Sequence, residues 1–430
     1  MPIADTQDSH PDLASQDAEY ARLLQRDPAQ VEAWRTRSRI ALQRRDNDSA
    51  VRLLEEALRH NPENRSLLED LARLHLLRRA PAAARPLVEQ LVRSGADAPE
   101  HLFFQGRLEW LEGEHERAVQ AFQQALVRQP DEPRYLTALV QALVGLDRLP
   151  EALRYVAQFG ATAGSADIMS LIALYRFDTS GSDMALEAAR YGLQQSPLHP
   201  TLRYLYSALH TLAGRPDEAE SSVAIFEDDA TAGPQWRGFK YALAHAAPAA
   251  FCGLPSTLLR RSLAAAPDTG GVAEFGVYHG LSLRRLAKDV NSPIHGFDSF
   301  EGIPEDWKPG EPKGSYSTGG RIPEMPSHVT LHRGWFQDTL PGFVATQQEP
   351  LRFVHVDCDL YSSTHTVLEA LRPLLQVGTV LLFDEYLGFA GYEQHEFRAW
   401  QEFVQRHGIR YEYVAFELIA KQAAARITAV

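Results

Sequence analysis

Cysteine is almost missing from this chain. Cys252 and Cys358 are its two thiols, too few and too far apart for a disulfide framework or a thiolate metal site. Any metal must therefore be held by oxygen or imidazole. No apolar run approaches the roughly 20 residues that span a bilayer, which argues against a membrane partner. Positive charge is also short: 43 Lys and Arg stand against 56 Asp and Glu, a formal net charge of −13. A phosphate backbone needs a broad basic face, so nucleic acid is not the expected substrate. Met1 to Gln16 is acidic and polar and lacks the basic stretch and apolar core of a secretory signal, which makes a cytoplasmic location the expectation.

What is present is ordinary for a globular chain, 44% hydrophobic and 23% charged. Its 430 residues exceed what one core uses, so two or more domains are expected. The first half repeats. From Val31, Trp34, Ser38, Ala50, Leu54, Ala57 and Pro62 follow the tetratricopeptide order of large, small, small, large, small, proline. The register starting at Arg65 places Leu68, Ala72, Ala84, Val88 and Leu91, and the one starting at Pro99 places Leu102, Gly106, Gly113, Ala118, Phe122, Ala125 and Pro130. Further copies begin near Pro133, Ala166 and Pro200. Small residues at these offsets let the two helices of a hairpin cross closely, and the proline stops the second helix. Such an array presents a concave face to a protein partner or a carrier, or serves as a packing and dimerisation scaffold in a homo-oligomer. The expected organisation is an N-terminal segment 1–30, repeats 31–228, a linker with two apron helices 229–270, and a final domain 271–430.

From Gly271 the pattern changes to short apolar runs alternating with helices, the mark of a parallel sheet covered on both faces. The runs are Gly271 to Gly276, Pro293 to Phe297, His328 to His332, Arg352 to Val356 and Thr379 to Phe383. Two later runs, Tyr411 to Phe416 and Ala424 to Val430, are expected to pair as an antiparallel hairpin. The result is a Rossmann-like sheet of seven strands, arranged as in class I methyltransferases rather than dehydrogenases. In such sheets ligands sit beyond the carboxyl ends of the strands. After the first run stands Glu274-Phe-Gly-Val-Tyr-His-Gly-Leu-Ser282, where Gly276 and Gly280 permit a tight turn close to a ligand and Glu274 can reach a cationic amine. Asp298, followed by Ser299, suits the two hydroxyls of a ribose. Trp335 and Phe336 could wall an adenine pocket. Asp357 and Asp359 follow the fourth run, and Asp384 and Glu385 the fifth. Acids converging there cannot all ionise without a cation or shared protons, and coordination of Mg2+ by oxygen is the economical solution. The Gly- and Pro-rich loop Glu301 to Pro326 is long enough for a lid, and His395 could be a second base.

These segments resemble the macrocin O-methyltransferase family, which methylates sugar hydroxyls in antibiotics. The matched stretches are Glu274 to Gly280, Phe297 to Pro304, Gly334 to Pro341, Val356 to Thr364 and Phe383 to Tyr386, and they cover most of the second half and none of the first. The resemblance implies a metal-dependent transfer from S-adenosylmethionine to a glycosylated acceptor, small or carrier-bound. Tyr278, Ser282, Ser299 and Asp357 join the cofactor-binding positions, Asp357 and Asp384 match the metal ligands, Glu385 the second acid of the pair, and Asp359 the general base. Catechol O-methyltransferase, with acids after the same two strands, has a similar layout. Asp-Glu stands where many members have Asp-Asp, and the repeats are an addition the antibiotic enzymes lack.

Overall fold

The computed structural model describes residues 13–95, 98–163 and 165–430, so most of the acidic leader, Met1 to Gln16, lies outside the described residues. Six helical hairpins follow the expected registers: Val31–Gln43 with Asn47–His60, Arg65–Leu77 with Pro81–Ser94, Pro99–Leu111 with His115–Arg128, Pro133–Gly145 with Leu149–Ala163, Ala166–Ser180 with Ser182–Gln195, and Pro200–Leu212 with Pro216–Phe226. A further helix, Leu13–Arg26, precedes them. Local signals start the helices. Asp46 and Asn64 accept the Ser49 and Leu67 N–H at 2.9 and 3.1 Å, and proline opens the helices at 81, 99, 200 and 216, where its missing N–H costs nothing. The small residues lie at the crossings. A Cβ added to Gly106 would stand 2.6 Å from the Phe122 ring, and Ala50, Ala72, Ala84, Ala118, Ala125, Ala173 and Ala185 are fully buried.

The chain divides into two compact units, Met1–Tyr135 and Leu136–Val430. The first holds the three leading hairpins. The second contains an eight-stranded sheet of β1 (Phe251–Cys252), β2 (Gly271–Phe275), β3 (Ile294–Asp298), β4 (Val329–Arg333), β5 (Leu351–Val356), β6 (Val380–Phe383), β7 (Arg410–Glu417) and β8 (Ala423–Ala429). Its order is β1-β7-β8-β6-β5-β2-β3-β4. Strands β2 to β6 are mutually parallel, and β8 runs antiparallel to both β6 and β7. To the seven strands read from the sequence the structure adds β1, two residues parallel to β7 at the edge. Alternation along the strands feeds two cores: Ala273, Phe275, Val354, Val356, Leu381 and Phe383 face one layer, and Val272, Phe353, Val380 and Leu382 the other.

The last two hairpins belong to the first of those layers. Tyr204, fully buried, donates its hydroxyl to the Leu418 carbonyl. Rings run from Tyr204 through Phe239 and Phe251 to Phe416 with centroids 5.3 to 6.4 Å apart. Asp178 accepts the N–H groups of Gly253 and Leu254 at 2.6 and 3.0 Å, which ties the fifth hairpin to the chain beside β1. Among the described residues no helix is long and apolar enough to cross a membrane.

Candidate active site at the carboxyl edge of the sheet

After β2 the chain turns through Gly276 (φ 93°), Tyr278 (φ 50°) and Gly280 (φ 74°) into the helix Leu281–Asp289. A Cβ on Gly276 would fall 1.7 Å from the Asp357 carbonyl oxygen, so only glycine fits. Gly276→Ala should therefore destabilise the chain by more than the about 1–2 kcal/mol of left-handed strain alone, because the start of the β5 loop must also move. A drop in thermal midpoint reads this out, and an unchanged midpoint would count against the turn geometry.

Asp298, at the end of β3, reaches back to this turn. Its Oδ2 accepts the N–H groups of Val277 and Tyr278 at 2.7 and 2.8 Å, and its Oδ1 accepts that of Phe300 at 2.6 Å. Of the about four acceptor directions of a carboxylate, three are used on backbone. The residue read as a ribose ligand thus also builds the turn, with about one direction left for a hydroxyl. Ser299 is buried and its Oγ accepts the Glu301 N–H at 3.1 Å. Gly334 donates to the Asp298 carbonyl at 3.0 Å, which brings half-buried Trp335 beside the turn. Phe336 instead packs edge-on against Phe275, centroids 5.8 Å apart.

Glu274 departs from its expected position. It is fully buried, its Oε1 accepts the Ser282 hydroxyl at 3.0 Å, and its Oε2 lies 2.8 Å from His355 Nδ1. The parallel register of β2 and β5 sets Glu274 opposite His355, so each of its oxygens already has one partner within the domain. Burial pulls His355 toward its neutral form, but the Glu274 hydrogen bond and charge outweigh it and the net shift is upward.

Asp357, Asp359, Asp384 and Glu385 do converge. Burial first, then the charges of Asp384 and Asp359, push Asp357 well above the usual carboxylate range. Burial, with Glu385 and Asp384, raises Asp359 to about 7. The acids have a counter-charge. Lys421 Nζ lies 2.9 Å from Asp384 and 2.9 Å from Glu385, and Gln422 donates to the other Asp384 oxygen. Against the opposing effect of burial, Lys421 and His355 hold Asp384 at about 2. Lys421 reaches the site because β8 runs back along β6, with Ala423 opposite Phe383. Among the described residues, the side chains that could share one ion are His355, Asp357 and Asp384, each with a ligand atom within 4.8 Å of the others. Glu385, expected as a metal ligand, is directed to Lys421 instead.

Glu396 is a further residue not anticipated. Fully buried, it accepts the N–H of Asp359 through Oε1 and that of Glu385 through Oε2, both at 3.1 Å, and so clamps the loops after β5 and β6 together. Its neighbour His395 has a structural place, its ring 5.8 Å from Phe389 and 6.2 Å from Trp307. Within the loop after β3, Ile303 donates to the Ser315 carbonyl and accepts the Gly314 N–H, both at 2.9 Å. Ile303 and Trp307 pack with Leu360, the residue after Asp359.

The strand order, the glycine turn after β2 and the acids after β5 and β6 define an α/β domain of methyltransferase type. Residues 273–386 match the family described as "Methyltransferase domain", and residues 35–99, 78–133 and 105–166 match "Tetratricopeptide repeat". The chain thus carries tetratricopeptide repeats followed by a methyltransferase domain. Among curated proteins it is similar to 8-demethyl-8-(2,3-dimethoxy-alpha-L-rhamnosyl)-tetracenomycin-C 4'-O-methyltransferase of Streptomyces olivaceus, 30% identical over 141 residues, 27% of this chain and 53% of the relative. The match spans about half the length of that relative. Solved structures with some likeness include the O-methyltransferase NovP, at 22% identity and TM-score 0.33 over 40% of this chain and 80% of that one. Another is a tetratricopeptide repeat protein from Parabacteroides merdae ATCC 43184, at 12% identity and TM-score 0.40 over 46% of this chain and 78% of that one.

Proposed function

We propose that the chain is an S-adenosylmethionine-dependent O-methyltransferase acting on a hydroxyl of a sugar or glycosylated natural product, free or carrier-bound. The repeats would recruit the acceptor or a protein partner, and the protein would work as a cytoplasmic homo-oligomer. The observation that carries this reading is Asp359. It stands at the carboxyl edge beside three further acids, with its pKa raised to about 7, where a general base is best matched to neutral solution.

S-adenosylmethionine, when bound, supplies a methyl group already activated on a sulfonium. The chain's own residues align it. The Gly276–Gly280 turn lets backbone approach the cofactor, the free direction of Asp298 suits a ribose hydroxyl, and Trp335 offers an adenine wall. Asp359 would take the proton of the acceptor hydroxyl. A divalent cation, Mg2+ on the resemblance, fits Asp357 and Asp384. Among the described residues Asp357 makes no ion pair, and a buried His355 nitrogen beside it lacks a partner. Such an ion would lower the pKa of a bound hydroxyl.

Lys421 favours a second reading, in which the repeats do the work and the domain is a non-catalytic scaffold, because it already pairs with two of the acids. Calorimetry with S-adenosylmethionine and NAD, joined to mass analysis of glycosylated acceptors after incubation, separates the two. The enzyme reading expects binding of S-adenosylmethionine and a one-methyl gain on an acceptor. Absence of binding at millimolar cofactor would sink it.

A further inference from the structure

His355 is a deeply enclosed titratable side chain at the carboxyl edge that the methyl-transfer reading leaves without a task. It is 4% exposed. Its Nδ1 is taken by Glu274 at 2.8 Å, while its Nε2 is buried without a hydrogen-bond partner. Strand geometry turns it toward the acids. His355 and Asp357 share one face of β5, two residues apart, and the register with β6 sets His355 opposite Leu382, two residues before Asp384. A ring nitrogen of His355 and one oxygen each from Asp357 and Asp384 consequently lie within 4.8 Å of one another.

We infer that His355 is a metal ligand, and that the ion at this edge is held by one imidazole and two carboxylates, a set that favours a transition ion such as Mn2+ over Mg2+. The inference rests on the cation included in the proposed function and changes its ligands and identity. A buried imidazole that donates Nδ1–H to a carboxylate is oriented to give Nε2 to a metal once the ion has displaced its proton, the arrangement that orients metal-bound histidines and raises their basicity. Glu274 is that carboxylate, itself fixed by the Ser282 hydroxyl at 3.0 Å. A ring nitrogen within 4.8 Å of two carboxylates carries either a proton or a cation, and metal binding displaces the proton. Lys421 answers the charge at Asp384 and Glu385, and among the described residues no ion pair reaches Asp357. Mg2+ prefers oxygen ligands and retained water, whereas an imidazole nitrogen adds affinity for transition ions, among which Mn2+ also accepts a mainly carboxylate set. Glu274 and His355 act here as a positioning residue and a ligand, independently of methyl transfer.

The test uses the full chain stripped by chelator and titrated with Mn2+, with the bound ion followed by continuous-wave and pulsed electron paramagnetic resonance. One tight Mn2+ site is expected, with nitrogen modulation from a coordinated imidazole that changes when the protein is grown on heavy-nitrogen histidine. Mn2+ should bind about tenfold or more tighter than Mg2+. In His355→Gln the modulation should vanish and Mn2+ affinity fall by roughly 10- to 100-fold, with a smaller change for Mg2+. The wild-type spectrum decides even if the variant folds poorly. Tight Mn2+ without nitrogen modulation, or modulation that survives in His355→Gln, overturns the histidine ligand and leaves a carboxylate-only cation site. If neither Mn2+ nor Mg2+ binds stoichiometrically, the inference and the metal in the proposed function both fail, while S-adenosylmethionine binding, measured separately, still stands or falls by itself.

Discussion

Asp359→Asn should leave the chain folded and able to bind S-adenosylmethionine while lowering turnover by about 100- to 10,000-fold, the range that removal of a general base covers. The substitution is unusually clean at this position. Asp359 has φ 61°, a left-handed conformation that asparagine tolerates better than almost any other side chain except glycine. The backbone N–H that Glu396 accepts at 3.1 Å is unaffected by the change. The neutral amide also removes one member of a crowded acidic group, so stability should hold or rise. Paired measurements of thermal midpoint, cofactor affinity and single-turnover rate check it. A variant with near wild-type rate would remove Asp359 from the chemistry. A variant losing cofactor affinity and rate together would make it a positioning residue for the β5 loop.

Much of the architecture could be read from periodicity, because the burial it reports is local. The repeat offsets from Val31 onward found each hairpin, since Ala50, Ala84 and Ala118 are small for a reason that lies on the partner helix of the same hairpin. The strands from Gly271 to Val356 were marked by their apolar runs. Strand β1 had no such mark: Phe251–Cys252 is too short to alternate. At the site, Asp357, Asp359, Asp384 and Glu385 were legible because each directly follows an apolar strand. Lys421, Glu396 and His355 were not. Lys421 arrives by the antiparallel return of β8, Glu396 from a helix that packs across two loops, and His355 by the register of β5 between β2 and β6. The same cause explains Glu274, whose acid at a strand end reads as a ligand until its neighbour across β5 is known.

Where the chain can be cut follows from the same long-range packing. A chain beginning at Glu132, which keeps the helix Pro133–Gly145 and everything after it, should fold and bind S-adenosylmethionine with nearly unchanged affinity, because every candidate chemical residue and the core around the sheet are retained. A chain beginning at Asp228 retains the same chemical residues and should nevertheless fail to fold. It loses Leu202, Tyr204, Leu205 and Phe226, each at most 1% exposed and part of the layer that includes Phe239, Phe251 and Phe416. It also strips Asp178 from the Gly253 and Leu254 N–H groups and Tyr204 from the Leu418 carbonyl. Burying one such side chain is worth roughly 1.5–3 kcal/mol, so uncovering the surface matched to four of them costs on the order of 6–12 kcal/mol, comparable with the whole stability of about 5–15 kcal/mol of a typical protein. Circular dichroism melts and calorimetry on both truncated chains decide the matter. A cooperative melt and intact cofactor affinity in the shorter chain would show that the last hairpins merely lean on the sheet. If the longer one folds and binds cofactor but loses activity on a carrier-bound acceptor while still methylating a small sugar, the leading hairpins serve recognition.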